Sequence, residues 1–184
     1  MNQNHVLEGD FDADMIRRWA YDENALLIEQ DEDLVLPQWD FAELLFELAA
    51  DPTCPKASYI IGIWGSFTWQ CTMRQDPADL ARTRRALEAA SRYREDANVG
   101  WWIDFQSKLL RYVDGVGPIT AEQAIAMAHD LLGGTRTEYT ITLREETSTS
   151  FVVELSIPEG SYRERLSIDR SSGKFRYEPR SPRY

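Results

Sequence analysis

Residues 119–157, ITAEQAIAMAHDLLGGTRTEYTITLREETSTSFVVELSI, change their hydrophobic period part-way along. Up to residue 134 the period is helical. Thr120 stands as N-cap with Gln123 three positions on, the two halves of a capping box, and Ile125, Ala128, Leu131 and Leu132 fall on one stripe that Gly133 and Gly134 end. From Tyr139 the period is two: Tyr139, Ile141 and Leu143 alternate with Thr and Arg, and Phe151, Val153, Leu155 and Ile157 alternate with Val, Glu and Ser. Leu166, Ile168, Phe175 and Tyr177 continue the alternation, with turn chemistry at residues 145–149, 158–160 and 169–173. A helix followed by a four-stranded antiparallel meander that is apolar on one face has to lay that face on the helix.

Upstream the signals are helical. Phe11, Met15, Ile16 and Trp19 make a stripe behind acidic residues suited to a helix N-terminus. Residues 22–36 read as a short helix to Gln30 followed by an acidic loop, or as two short strands. At residues 40–50, Asp40 is the expected N-cap, Glu43 completes a capping box and Trp39 closes over Leu44 as a hydrophobic staple, with Phe41, Leu44, Leu45 and Leu48 on one face. Residues 57–73 carry Ile60, Ile63, Trp64, Phe67 and Cys71 at helical spacing, although the β-branched residues and glycines leave a strand pair open. Asp76 and Pro77 open a further helix to about Arg94, and residues 98–113 are expected to bury Trp101, Trp102, Phe105, Leu109 and Tyr112. The fold class that follows is α+β: an N-terminal antiparallel helical bundle or helix-hairpin stack, then one helix packed on the meander. The glycine segment 114–118 divides an acidic helical region, 1–114, from an α+β region, 118–178, either as two domains or within one continuous domain.

Composition bounds the function. The net charge of −11 belongs to one end: residues 1–55 hold fourteen acidic residues against Arg17 and Arg18, and the remainder is close to neutral. Such a field attracts basic partners and repels nucleic acid. The start, MNQNHVLEGDFDAD, has no basic segment leading into an apolar one, and the longest apolar stretch is interrupted by polar residues and glycines, so a cytoplasmic chain that does not enter the membrane is expected. Cys54 and Cys71 read as buried free thiols.

The motifs that carry chemistry are incomplete. Asp10, Asp12 and Asp14 have calcium-loop spacing, but Met15 stands where that loop needs Gly and Tyr21 where it needs Glu. His5 and His129 have no second ligand at metal spacing, and His129 is expected to be a partly buried structural residue. Ser66 lacks the second Gly of a nucleophile elbow, because Thr68 occupies that position. Gly115 and Gly117 lack the third Gly and the Lys-Ser/Thr pair of a phosphate loop. The six arginines from Arg74 to Arg94 interleave with acids, so salt links across their helix or to the acidic segment are expected rather than a phosphate ridge. No catalytic residue, metal or cofactor is expected.

Residues 119–134 together with FVVELSIPEG and YRERLSIDRSSGKFRY, within 151–177, resemble the PepSY domain: a capped helix with Glu and repeated Ala, an antiparallel hairpin, and Asp169 followed by Gly173 and Lys174. That resemblance implies an inhibitory or binding module without catalytic residues, in a family that mostly works outside the cytoplasm. Residues 47–61, ELAADPTCPKASYII, resemble helical units of bacterial proteins found beside toxins, immunity proteins among them. Charge and resemblance together lead to the expectation of a non-enzymatic acidic binding protein, a bacterial immunity protein that occludes the active site of a basic toxin. Asp22, Glu29, Asp31, Glu32 and Asp33 are the expected partner-binding residues. The alternative is a small-ligand or adaptor module with its site where the helical and α+β parts meet.

Overall fold

The computed structural model describes residues 12–25, 38–133, 139–157 and 163–180. Among them six α-helices, mostly N-terminal, precede a four-stranded antiparallel sheet, the expected α+β class. The chain divides into two compact units, Met1–Thr72 with Asp76–Ser107, and Met73–Gln75 with Lys108–Tyr184. No helix among the described residues is long and apolar enough to cross a membrane.

In the first unit, α1 (Ala13–Tyr21) starts at Asp12, whose carboxylate accepts from the Met15 amide at 2.8 Å, and it buries Ile16, Trp19 and Ala20. The acidic stretch that follows is described only to Ala25, where Asp22 to Ala25 form a turn. Helix α2 (Ala42–Ala50) departs from the expected start. Trp39–Phe41 form a 3-10 turn, the N-cap is Phe41 without a side-chain bond, and the capping box of Asp40 and Glu43 does not form. The reason is tertiary. Trp39 lies against Trp64 and Phe67, with ring centroids 5.4 and 5.1 Å apart, and this tightens the entry into the helix. Within α2, Leu44, Leu45, Phe46 and Leu48 are all buried and only Glu43 and Glu47 are exposed.

Residues 57–73 are helical: α3 runs Ala57–Arg74. Trp64 is fully buried at the centre of an aromatic cluster, 5.7 Å from Phe46, 5.6 Å from Phe67 and 6.3 Å from Trp102. Asp76 caps α4 (Pro77–Ala90) by accepting from Ala78 and Asp79, as Asp-Pro at a helix start predicts. Helix α5 (Ala97–Asp114) belongs to this unit as far as Ser107 and there buries Val99, Trp102, Ile103 and Gln106, while its buried Leu109 and Leu110 belong to the second unit. The expectation that Trp101 is buried is overturned: it is half exposed and stacks on Phe105 with centroids 5.4 Å apart. The buried face of α5 is rotated because a polar residue belongs to it. Gln106 donates to Thr72, Thr72 donates to the Thr68 carbonyl, and the Trp102 indole donates to the Thr68 hydroxyl at 3.1 Å.

In the second unit, Thr120 and Gln123 form the capping box of α6 (Ala121–Ala128), which ends in a π-type turn at His129–Gly133. Helix α6 lies over β1 (Thr140–Glu146) and β2 (Ser150–Ser156), and β3 (Arg163–Asp169) and β4 (Phe175–Arg180) complete a β1-β2-β3-β4 meander. Phe151, Val153, Leu155, Leu166, Ile168 and Phe175 face inward with Ala124, Met127, Ala128, Leu131 and Leu132. Ile125, expected in the stripe, is half-buried.

The turn from β3 to β4 is tied to the glycine segment. Asp169 accepts from the amides and hydroxyls of Ser171 and Ser172, and these bonds hold its carboxyl at about 2, well below the usual 3.8. Gly117 and Ile119 donate to the Ser172 and Arg170 carbonyls at 2.9 and 3.0 Å. Gly173 has φ 67°, and a Cβ there would meet Val116 Cγ2 at 2.6 Å, so glycine is required on both counts.

Removing the central ring by Trp64→Ala is expected to cost about 3–5 kcal/mol, read as a lowered urea midpoint. The lowered carboxyl of Asp169 contributes stability that is complete above the ordinary carboxylate pKa and is lost as pH falls through about 2. The stability gap between wild type and Asp169→Asn in urea titrations is therefore expected to be widest near neutral pH and to close on acidification to about pH 2.

Candidate functional site

The first unit contains a groove of about 720 Å³. Its floor is apolar: Ala42 and Leu44 of α2 and Ala86 of α4, all nearly buried, with half-buried Ala89. The small alanines leave the room, and the contact of Trp39 with Trp64 fixes one wall. Four arginines arrive from three elements, Arg17 from α1, Arg82 and Arg85 from α4, and Arg92 from the 3-10 turn Ser91–Tyr93, and they share the lining with Asp40, Glu43 and Glu47.

The charges are partly paired. Arg17 reaches Glu47 at 3.2 Å and Arg92 reaches Glu43 at 3.1 Å, while Arg82 bridges to Asp79 of its own helix at 3.3 Å. All three arginines are about half exposed, with side-chain exposures from 43% to 55%, so each pair is worth only about 0–1 kcal/mol. Among the described residues Arg85 and Asp40 have no ion-pair partner. The arginine-rich stretch thus makes the expected links to the acidic segment through Arg92, whereas Arg94 bridges to Asp104 on α5.

Of the expected partner-binding residues, Glu29, Asp31, Glu32 and Asp33 lie outside the described residues. Asp22 has a local task. Its carboxylate accepts from the Asn24 amide at 2.9 Å, and its carbonyl accepts from the buried Lys56 ammonium, which also lies 5.2 Å from the Trp19 ring. Nearby, Tyr21 donates to Asp51, which also accepts from Thr53; the hydrogen bond to Asp51 pushes the tyrosine up to about 12, and the bonds from Tyr21 and Thr53 draw Asp51 below the usual carboxylate range.

The other candidates are dispersed. Asp12 is a helix cap and Asp14 is exposed, while Asp10 and His5 lie outside the described residues; no group of three or more His, Cys, Asp or Glu among the described residues could hold a metal ion. His129 is exposed rather than partly buried, because it sits past the end of the α6 stripe, and its Nδ1 lies 3.1 Å from the Tyr139 hydroxyl. Ser66 is an exposed position inside α3. Cys54 and Cys71 are free and buried, and desolvation raises the Cys54 thiol. On the outer face of the sheet, Glu154, only 4% exposed, accepts from Arg144 Nε and Nη2 at 3.1 and 2.8 Å, with Arg163 at 3.6 Å. Those bonds hold together strands whose outer positions would otherwise carry unpaired charge.

The groove itself was missed by the sequence reading. Its only trace there is the spacing of Arg82, Arg85, Ala86 and Ala89, which puts two cations and two small residues on one side of α4. Compared with known proteins, the chain matches no family model, no curated protein and no solved structure.

Double-mutant cycles on Arg92 and Glu43, and on Arg17 and Glu47, are expected to return coupling energies below about 1 kcal/mol that shrink with added salt, measured by urea unfolding.

Proposed function

We propose that this chain is a non-enzymatic protein-binding module of the immunity type, which inhibits a basic toxin by covering its active site with carboxylates. One observation carries the reading. Helix α2 buries its apolar residues around most of its circumference and turns only Glu43 and Glu47 outward, 69% and 54% exposed, within a stretch where fourteen acids oppose two bases. Residues four apart share a helix face, so the two carboxylates act on a partner together. Their bridges to Arg92 and Arg17 are weak enough to be exchanged for arginines or lysines of a partner at little cost.

The rest of the proposal follows from electrostatics. A basic enzyme that binds a polyanion has a cationic cleft, and an acidic surface accelerates its encounter and takes the place of phosphate contacts. Asp22, Glu29, Asp31, Glu32 and Asp33, close by in sequence, are the further carboxylates assigned to that contact. The resemblance of the C-terminal third to PepSY modules supports the same reading, binding without bond-making.

The decisive experiment is capture of the partner from the native host, followed by association kinetics with the purified pair. Neutralising Glu43 and Glu47 to Gln, or Asp31, Glu32 and Asp33 to their amides, is expected to slow association about tenfold or more at low salt and to narrow the difference at high salt. Equal rates for all three proteins, or a captured partner with an acidic contact surface, would remove the proposal.

A further inference from the structure

The arginines of the groove are not needed for an acidic surface, and their convergence calls for its own account. Only two basic residues occur in the first 55, and one of them, Arg17, lines this groove; Arg82, Arg85 and Arg92 come to it from α4 and the turn that follows α4. Four guanidinium groups from three elements therefore surround one concave surface in a chain of net charge −11. Guanidinium is the side chain whose planar fork matches carboxylate and phosphate oxygens in pairs.

We propose that this groove binds a small organic anion, an oxyanion head carried on a flat apolar body. Volume, floor and charge each narrow the ligand. At about 720 Å³ the groove falls in the range of roughly 300–1,000 Å³ typical of organic ligands and is far larger than a bare phosphate needs. Half-buried Trp39 and Ala89 offer an aromatic ring and a methyl group to the body of the ligand, above the nearly closed surface of Ala42 and Ala86. The head goes to Arg85, which has no ion-pair partner among the described residues, and to Arg82, whose bond to Asp79 is an exposed contact within one helix. Asp40, Glu43 and Glu47 in the same lining repel a polyanion and so restrict the ligand to a single anionic head.

The test uses the full chain and no partner protein, so it stands or falls separately from the immunity reading. Benzoate, phenyl phosphate and the neutral benzamide are titrated by calorimetry and by ligand-observed NMR. At least one of the two anions is expected to bind saturably and at least tenfold more tightly than benzamide, and the comparison of benzoate with phenyl phosphate identifies the head. Arg85→Gln and Arg82→Gln are each expected to weaken binding at least tenfold, and Ala89→Phe to abolish it by filling the floor. Arg84→Gln, on the same helix but outside the groove lining, is expected to leave affinity unchanged. Absence of saturable binding by both anions, binding of benzamide as tight as that of the anions, or unchanged affinity in both the Arg85 and Arg82 variants would overturn the proposal. Because those two arginines are exposed and outside the core, their variants decide the matter even if Ala89→Phe does not fold.

Discussion

Trp64 is the contact on which the helical unit depends. It is fully buried and meets Trp39, Phe46, Phe67 and Trp102, rings supplied by the 3-10 turn, α2, α3 itself and α5. One side chain thereby fixes the separation of three helices and the entry to one of them. Edge-to-face geometry to Trp39 and Phe46, with interplanar angles of 84° and 88°, adds directional preference to burial that would otherwise be indifferent to orientation. Its influence extends to the surface, because Trp39 is both a partner of Trp64 and a wall of the groove. The indole N–H of Trp64 finds no acceptor among the described residues, so the ring is held by packing alone.

The second unit rests on a different kind of constraint, a polar turn. Apolar alternation lays the meander on α6, but it does not say where the chain entering α6 runs. That is set by Ser172 and Arg170, whose carbonyls accept from Gly117 and Ile119, and Asp169 shapes the turn that presents them. Gly115 and Gly173 allow the two segments to approach, since a Cβ on either would strike a backbone or side-chain atom closer than 3.0 Å. The glycine segment is therefore a strap bonded to the hairpin within this unit.

What could be read in the sequence was local. Thr120 with Gln123, Asp76 with Pro77, and the alternation from Tyr139 onward each use neighbours within a few residues, and each forms as expected. Asp40 with Glu43 is just as good a local signal, and it fails because burying Trp39 against Trp64 outweighs a cap worth about 1 kcal/mol. The misreading of Trp101 has a related cause. The inward face of α5 contains Gln106, and that of α3 contains Thr68 and Thr72, all fully buried. A hydrophobic pattern counts these as outward positions, yet Thr68 and Thr72 donate to their i−4 carbonyls and accept from Trp102 and Gln106 inside the core, which leaves the Gln106 side-chain oxygen as the one acceptor of the set without a partner among the described residues. The groove was invisible because Arg17 and the residues of α2 are far in sequence from Arg82, Arg85 and Arg92, and only the packing of α1, α2 and α4 brings them to one surface.

The groove and the acidic face of α2 are built partly from the same charges. Glu43 and Glu47 lie one helical turn apart and repel each other; Arg92 and Arg17 offset that repulsion from opposite elements. Arg82 and Arg85, to which the anionic head is assigned, take no part in those two bridges. An anion held by them leaves Glu43 and Glu47 compensated as before, and a cationic partner that takes up the two carboxylates leaves Arg82 and Arg85 in place, so the two proposed sites share a surface without sharing the ion pairs on which each depends.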